Sequence, residues 1–465
     1  MRIDSLKLTN YRCFESLSIE FHKNMTVLVA PNGQGKTAIL DALRIALWPF
    51  VNAFDVASGT LPRSGIELDD VRLVRTRTKR NAMEPQLPSN ISARATHDGS
   101  DLAWSRQRDK VSARSKTTVR EARPLVDMGA KLQAAIRIDA EDETELTKSP
   151  NTPLPIIAYY GTGRLWKQRQ LTQKNQSRSD FFSRTFAYVG CLDTGSNYKY
   201  FIDWFYYLYA ADFEQKAKKV ETEGFQGLYD EDYPYEDCMK AIRDAVDKVM
   251  EQRLGWKNLS YSPSQKALVM EHDEYGVLKV DQLSDGLRNM IAMTADIAYR
   301  CSRLNPQWSR DAAIKTEGIV LIDEIDMHLH PSWQQTILQS FQSAFPEIQF
   351  IVTTHSPQVL TTVPRENIRV IEWIDDGHRA DKPDFSPLAH ESGDALAKIM
   401  ETHREPELAL QDSIRNYEQL VRTGKEESDD ALELRRKLDK AGYQIHESDL
   451  ATWRFLAARK SGEGL

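Results

Sequence analysis

The alternation of hydrophobic and polar residues predicts strands at the start of the chain. Ile3 to Phe14 and Leu17 to Phe21 alternate between apolar and polar positions, and Met25 to Ala30 is a short apolar run. After Thr37 the apolar residues recur at helical spacing. The pattern therefore predicts three strands followed by a helix.

Later segments show the same two periodicities. Residues 66–120 contain alternating segments with a hairpin turn at Asp98-Gly99, and a second hairpin is predicted to turn at Glu274-Tyr275-Gly276. Aromatic-rich helices are predicted over residues 198–253, and residues 318–354 follow the order strand, helix, strand. We therefore expect an α/β protein with an antiparallel subdomain, an inserted helical lobe and a charged helical tail.

Composition is that of a globular protein, with 41% hydrophobic and 28% charged residues. No run of about 18 apolar residues occurs and no signal peptide is visible, so we expect no membrane partner and no membrane span. Four cysteines lie far apart without a CxxC pair, which suits the reducing cytoplasm and argues against structural zinc.

Charge is unevenly distributed along the chain. The formal net charge is −7, yet the stretch from Arg72 to Arg123 holds 13 Lys and Arg against 5 Asp and Glu. This basic region (residues 72–123) could neutralise the phosphates of DNA. It could equally be a solvated, arginine-rich sheet edge, and both interpretations stay open.

A glycine-rich loop lies between the third predicted strand and the first predicted helix. It runs from Ala30 to Thr37, the context that a phosphate-binding loop requires, because its backbone N–H groups can surround phosphate oxygens. Lys36 would reach the β and γ phosphates of ATP, and Thr37 would offer its hydroxyl to Mg²⁺. The candidate cofactor-binding residues of the loop are Asn32, Gly33, Gln34, Gly35, Lys36 and Thr37.

Two carboxylates follow the apolar strand that starts at Gly318. Asp323 and Glu324 are predicted at the C-terminal end of that strand, where open α/β sheets bind their ligands. We expect Asp323 to hold Mg²⁺ and Glu324 to polarise the attacking water.

A second loop, at Ser284 and Gly286, precedes a predicted helix. Ser284 is a good N-cap, so a capped helix is the simpler interpretation. Alternatively, Ser284 and the backbone at Gly286 bind the γ-phosphate of a nucleotide held by another subunit. In that case a monomer has no complete site.

His355 follows the strand that ends at Thr354 and could donate a hydrogen bond to the γ-phosphate. Asp326 is placed to contact a second subunit. The pair His328 and His330 has no third ligand at a spacing typical of zinc. The sequence therefore predicts ATP and Mg²⁺ as cofactors, with Glu324 and His355 as the catalytic residues.

In this order the motifs resemble those of ABC-type ATPases of the RecF/SMC/OLD-like group. Residues 30–37 correspond to the Walker A motif, 283–288 to the signature, 321–326 to Walker B and the D-loop, and 353–357 to the H-loop. Ala30, Asp285 and Leu287 depart from the pattern, and Gly161 to Arg164 is the only candidate for the Q-loop. The resemblance covers most of residues 1–375 and implies heads that dimerise, or form a higher even oligomer, around ATP and Mg²⁺.

The resemblance divides the chain into four ranges. They are 1–155 (N-terminal part of the ATPase head), 156–255 (helical lobe), 256–375 (C-terminal part of the head) and 376–465 (tail, a candidate docking region for a partner).

Several branches of the group do not fit. The chain shows no long heptad segment as in SMC proteins, no Toprim nuclease as in OLD proteins and no HNH motif, so we expect no nuclease site of its own. The segment Ala158 to Trp166 and the short tail most resemble the PtuA family, the ATPases of Septu anti-phage systems. That resemblance implies a separate, PtuB-like HNH nuclease as partner.

Three functions remain open from the sequence. The chain could be a slow, regulatory ATPase, a module that uses ATP binding alone to switch a nuclease, or a RecF-like DNA repair protein that binds duplex DNA through the basic region.

Overall fold

The computed structural model describes residues 1–58, 64–75, 83–112, 117–141, 152–164, 183–193, 198–224, 234–374, 377–400, 402, 408 and 410–461. The chain forms two compact units, Met1–Met400 and Glu401–Leu465. Each unit is described by itself.

The first unit begins with an antiparallel sheet of four strands in the order β2-β1-β6-β7. Its strands are β1 (Arg2–Tyr11), β2 (Phe14–Glu20), β6 (Ser89–His97) and β7 (Ser100–Arg108). Asp98 and Gly99 both have positive φ, 48° and 70°, as the tight turn between β6 and β7 requires. The predicted hairpin is confirmed. A separate two-stranded sheet pairs β4 (Leu73–Arg75) with β5 (Met83–Pro85).

A six-stranded sheet forms the centre of this unit, in the order β15-β14-β3-β13-β12-β8. All neighbours are parallel except β14 and β15. Its strands are β3 (Met25–Val29), β8 (Ile156–Tyr160), β12 (Gly318–Ile322), β13 (Ile348–Thr353), β14 (Ile368–Ile374) and β15 (Gly377–Asp381). Every residue of β3, β8, β12 and β13 is buried, which explains their largely apolar sequence.

Helices cover and connect these strands. In the first unit they are α1 (Lys36–Val51), α2 (Asp55–Ser58), α3 (Arg123–Glu141), α4 (Tyr198–Glu223), α5 (Pro234–Leu254), α6 (Asp285–Leu304), α7 (Ala312–Lys315), α8 (Pro331–Gln334), α9 (Ile337–Ala344), α10 (Pro357–Leu360) and α11 (Ser392–Lys398). A three-stranded antiparallel sheet of β9 (Trp256–Ser262), β10 (Ala267–His272) and β11 (Gly276–Lys279) precedes α6.

The structure places two features differently from the sequence pattern. Between β12 and β13, where the sequence pattern predicts one helix, the structure has two, α8 and α9, with Gln335 and Thr336 between them. The range given to the helical lobe begins at residue 156, which in the structure is the first residue of β8, a strand that pairs with β12 in the central sheet. That pairing joins residues far apart in the chain, so no local pattern could reveal it.

The second unit contains α12 (Gln411–Arg422), α13 (Asp429–Lys440) and α14 (Glu447–Ser461). The helices share a small core of their own, made of Tyr417, Val421, Ala431, Leu438 and Trp453. Within the part of the chain that the structure describes, no helix is both long and apolar enough to cross a membrane.

Candidate nucleotide-binding site

The predicted chemical groups meet at one edge of the central sheet. Strands β3, β13 and β12 are adjacent and parallel, so the segments after their C-terminal ends lie side by side. They surround a cleft of about 380 Å³. The cleft is lined by Arg12, Cys13, Asn32, Gly33, Gly35, Lys36, Thr37, Ala38, Asp323, Glu324 and His355. Except for Gln34, the predicted loop residues therefore line one cleft together with Asp323, Glu324 and His355.

Two glycines give the phosphate-binding loop its shape. Gly33 and Gly35 have φ of 83° and 91°, a backbone region that other residues rarely adopt. A Cβ atom at position 35 would also lie 2.4 Å from Phe14 Cζ, whereas one at position 33 would meet nothing within 4 Å. The loop is therefore packed against the β1–β2 turn on one side and open on the other, as a phosphate cradle must be.

Lys36 points its ammonium group into this loop. Its Nζ donates to the carbonyl oxygen of Ala30 at 2.8 Å, and the residue is 7% exposed. Burial lowers the pKa of Lys36, while the charges of Asp323 and Glu324 act in the opposite direction. A phosphate group in the cleft would supply the anion that this buried cation favours.

Asp323 is held by hydroxyl groups from both sides. Thr37 Oγ1 donates to its Oδ2 at 2.9 Å, and Thr353 Oγ1 donates to its Oδ1 at 2.6 Å. The backbone N–H of Asp323 donates to the carbonyl of Tyr160 at 2.8 Å. Hydroxyl and carboxylate oxygens are the ligands that Mg²⁺ prefers, so Thr37 and Asp323 fit this ion.

Glu324 adopts a strained backbone conformation beside the cleft. Its φ is 48°, in the left-handed region, and its N–H donates to Thr353 Oγ1 at 2.7 Å. Strained residues of this kind persist where the surroundings fix them and cluster at functional sites. Thr353 therefore orients Asp323 and Glu324 together.

Besides Gln34, three predicted residues lie outside the cleft lining. Asp326 accepts a hydrogen bond from Thr354 Oγ1 at 2.6 Å. Ser284 is the exposed N-cap residue of α6, and its side chain makes no capping hydrogen bond. Gly286 packs against His328 of the same chain, in the segment after Walker B (residues 325–330, called here the D-loop segment). Within one chain, then, the signature residues do not face the cleft.

Three further residues of the site were missed by sequence reasoning. Arg12 and Cys13, in the β1–β2 turn, line the cleft. Burial acts to lower the pKa of Arg12, but Tyr11 and the neighbouring carboxylates raise it overall, so the guanidinium stays charged. The third is Thr353, which the doubled threonine before His355 could have suggested.

The Arg12 guanidinium forms hydrogen bonds with two carboxylates. Its NH1 donates to Asp41 of α1 at 2.7 Å, and its Nε donates to Asp70 at 2.8 Å. The guanidinium therefore has a fixed position at the cleft.

His330, the second histidine of the pair after Walker B, caps a helix. His330 is the N-cap residue of α8, and its Nδ1 accepts a hydrogen bond from the N–H of Ser332. Capping of this kind satisfies a free backbone donor at the start of the helix.

The basic region is less exposed than its charge count indicates. Arg106 and Arg108 are 2% and 5% exposed, and their guanidinium groups donate to the carbonyls of Ile45 and Ile66. Residues 76–82 and 113–116 of this region lie outside the described residues. In the described part, Arg75, Arg94, Lys110, Arg120 and Arg123 are exposed.

The fold and the cleft define an ABC-type P-loop ATPase head, as the motifs predict. The chain belongs to the AAA domain family, whose sequence profile matches residues 5–261. A second AAA domain profile, described for a type IV toxin–antitoxin system, matches residues 192–361.

Individual proteins resemble the chain to different extents. "Retron Vc95 probable ATPase" of Vibrio cholerae is 27% identical over 475 residues, covering 94% of this chain and 86% of that protein. "Septu protein PtuA" of Bacillus mycoides is 48% identical over 79 residues, 17% of this chain and 10% of that protein. The SMC head domain of Thermotoga maritima has a TM-score of 0.43 at 13% identity, covering 83% of this chain and 100% of that domain. The predicted resemblance to ABC-type ATPases of the RecF/SMC/OLD-like group, PtuA among them, is confirmed.

Proposed function

We propose that the chain binds ATP with Mg²⁺ in this cleft and hydrolyses it as a head-to-head dimer. The observation that carries the proposal is the hydrogen bond from Thr37 to Asp323, which joins the phosphate-binding loop to the Walker B strand. It brings together two oxygen-bearing groups 286 residues apart in the chain, of the kind that hold a nucleotide-bound Mg²⁺.

Each cleft residue then has a chemical role. Lys36 and the N–H groups of residues 32–37 bind the phosphates, and His355 donates to the γ-phosphate. Thr37 and Asp323 hold Mg²⁺, which when bound supplies positive charge against the phosphate oxygens. Glu324 orients the attacking water and accepts its proton.

Dimerisation completes the site in this proposal. Ser284 is exposed, its side chain makes no capping bond, and it stands at the N-terminus of α6, a 20-residue helix. The N–H groups at such a terminus and the helix dipole favour an anion. Since Ser284 and Gly286 do not face their own cleft, they serve the γ-phosphate of the partner, and Asp326 lies at the same interface.

Replacing the general base tests hydrolysis. Glu324→Gln should bind a fluorescent ATP analogue with unchanged affinity, lose turnover and accumulate dimers with ATP, because the trapped nucleotide holds the two heads together. ATPase assays and light scattering after gel filtration measure both effects, with Lys36→Ala as the control that fails to bind. Wild-type turnover in Glu324→Gln would refute the assignment.

Mixing two inactive variants tests the shared site. Lys36→Ala keeps an intact Ser284, and Ser284→Ala keeps an intact phosphate-binding loop. In a mixed dimer one of the two sites combines both intact parts, so an equal mixture should recover about a quarter of the wild-type rate. If the mixture stays as inactive as each variant alone, hydrolysis does not use a site shared in this way.

At the level of the cell, we propose that the chain is the nucleotide-sensing regulatory subunit of an anti-phage complex with a separate HNH nuclease. The stretch of 48% identity to PtuA supports this proposal. The second unit offers a docking surface, since Leu432 of α13 and Phe455 of α14 are 44% and 54% exposed. Exposed apolar and aromatic side chains of this kind are typical anchors of protein interfaces.

The partner test uses an HNH nuclease of the PtuB-like class that this proposal names as the partner. Leu432→Ser with Phe455→Ser should weaken co-purification of the nuclease and leave ATP turnover unchanged. Nuclease activity is then compared with ATP, with a non-hydrolysable analogue and without nucleotide. Equal effects of ATP and the analogue would show that binding is the signal, and no effect of either would contradict the regulatory role.

A RecF-like role on duplex DNA has less support. Arg106 and Arg108, two members of the basic region that suggested it, are buried and bound to backbone carbonyls.

A further inference from the structure

A fully buried polar network joins the signature helix to the catalytic edge of the sheet. The Tyr160 hydroxyl donates to Asp296 Oδ2 at 2.7 Å, and Arg300 Nε donates to the same oxygen at 2.9 Å. Asp296 and Arg300 belong to α6 and are 1% and 3% exposed. Neither the phosphate contacts nor the chemistry proposed above uses any of these groups.

Tyr160 is fixed at both of its ends. It is the last residue of β8, and its backbone carbonyl accepts the hydrogen bond from the N–H of Asp323 at 2.8 Å. Its hydroxyl is bound to α6. Because both ends are held by hydrogen bonds, a single residue connects Asp323 to the signature helix.

The buried carboxylate of Asp296 strengthens this link. Asp296 Oδ2 accepts both hydrogen bonds, whereas its Oδ1 has no hydrogen-bond partner. A buried carboxylate with an unpaired oxygen is costly, so the bonds that remain are strongly favoured. Arg300 also donates to the carbonyl of Ala187, which anchors the network on its far side.

Helix α6 connects Asp296 to Ser284 at its N-terminus, where the proposed function places the phosphate of the partner. Asp296 lies twelve residues after Ser284, about 18 Å along an α-helix. Residues from Gly286 to Leu304 are largely buried, so α6 is packed as a rigid rod. A shift of Asp323 in one cleft would therefore be transmitted to Ser284 of the same chain.

We propose that Tyr160 is a positioning residue that couples the two nucleotide sites of a dimer. This inference rests on the proposed function, in which Ser284 binds the nucleotide of the partner. Occupation of one cleft, through Asp323, Tyr160 and Asp296, sets the position of the Ser284 that the same chain offers to the other cleft. The two sites then hydrolyse ATP cooperatively.

The test removes the hydroxyl group alone. Tyr160→Phe should keep the affinity of the monomer for a fluorescent ATP analogue, reduce kcat by about ten-fold or more because the trans contact is misplaced, and lower the Hill coefficient of ATP turnover toward one. Tyr188→Phe is the matched control. Its hydroxyl is also buried and donates to the carbonyl of Pro155 at 2.7 Å, without contact to Asp296.

Thermal unfolding of both variants separates folding from coupling. The proposal is supported if both variants lose a similar amount of Tm while only Tyr160→Phe loses kcat and cooperativity. Equal kcat and Hill coefficients in Tyr160→Phe, Tyr188→Phe and the wild type overturn it. If instead the wild type neither dimerises with ATP nor hydrolyses it, the proposed function fails, a result that the wild-type assays show independently of the variants.

Discussion

A Cβ atom on Gly286 would lie 2.3 Å from the carbonyl oxygen of His328. The signature loop and the D-loop segment of one chain are therefore in backbone contact, and His328 itself has a left-handed φ of 63°. Glycine at position 286 is required by this close approach, since its own φ lies outside the left-handed region. Gly286, two residues after Ser284, is thus packed on the segment that follows Glu324.

Gly286→Ala should disturb stability and catalysis together. Backbone atoms must move to accept the new methyl group, at a cost of about 1 to 3 kcal/mol. We expect a lower Tm in thermal unfolding and weaker ATP-dependent dimerisation in gel filtration. Gly377→Ala is the control, because its Cβ would meet no atom closer than 4.0 Å. An unchanged Tm in Gly286→Ala would contradict the packing.

Thr353→Val should impair catalysis more than nucleotide binding. The hydroxyl group that it removes donates to Asp323 and accepts the N–H of the strained Glu324. Loss of such a supporting contact typically lowers activity by about 10- to 100-fold. Steady-state kinetics should show the change mainly in kcat, and Thr353→Ser should restore most of it. Equal activity of the valine and serine variants would show that the hydroxyl has no orienting role.

Asp247 should make stability depend on pH. Burial raises its pKa from 3.8 to about 6, and its Oδ1 accepts the N–H of Asn258. Because the folded pKa is the higher one, the stability from protonated Asp247 is fully present below pH 3.8 and is lost as pH rises through 6.

Asp247→Asn keeps this position neutral and can still accept the bond from Asn258. It should be more stable than the wild type by about 1 kcal/mol above pH 6, a value reduced for partial exposure, with the difference shrinking toward pH 4. Denaturant unfolding between pH 5 and 8 measures it. Asp244→Asn, which breaks an exposed pair with Arg310, should instead be neutral or slightly destabilising. A constant difference across this pH range would exclude titration of Asp247 as the cause.

Two variants distinguish a role of the basic region in stability from a role in DNA binding. They are Arg106→Ala and Arg94→Gln. Arg106 donates to the carbonyls of Ile45 and Ser64, and its loss leaves both unsatisfied, at about 2 kcal/mol or more. Exposed Arg94 should change stability by less than about 0.5 kcal/mol. If the region binds duplex DNA, Arg94→Gln should reduce the salt dependence of binding. Equal stability of the two variants would contradict the buried role of Arg106.

The sequence by itself determined the local elements and the chemical groups of the site. A short, mostly apolar run such as Met25–Val29 indicates a buried strand. The loop from Ala30 to Thr37 has a recognisable order because its conformation depends on glycines at fixed positions. The position of Asp323 and Glu324 directly after β12 was predictable for the same reason, since each motif lies within a few residues of its strand.

Only the tertiary structure decided how distant segments meet. The Arg12 guanidinium at the cleft, the Thr353 hydroxyl between Asp323 and Glu324, and the buried Arg106 depend on contacts across tens to hundreds of residues. An arginine at the surface and one bound to buried carbonyls look identical in the sequence. Long-range sheet pairing and burial distinguish them, and these follow from the packing of the whole chain rather than from any local pattern.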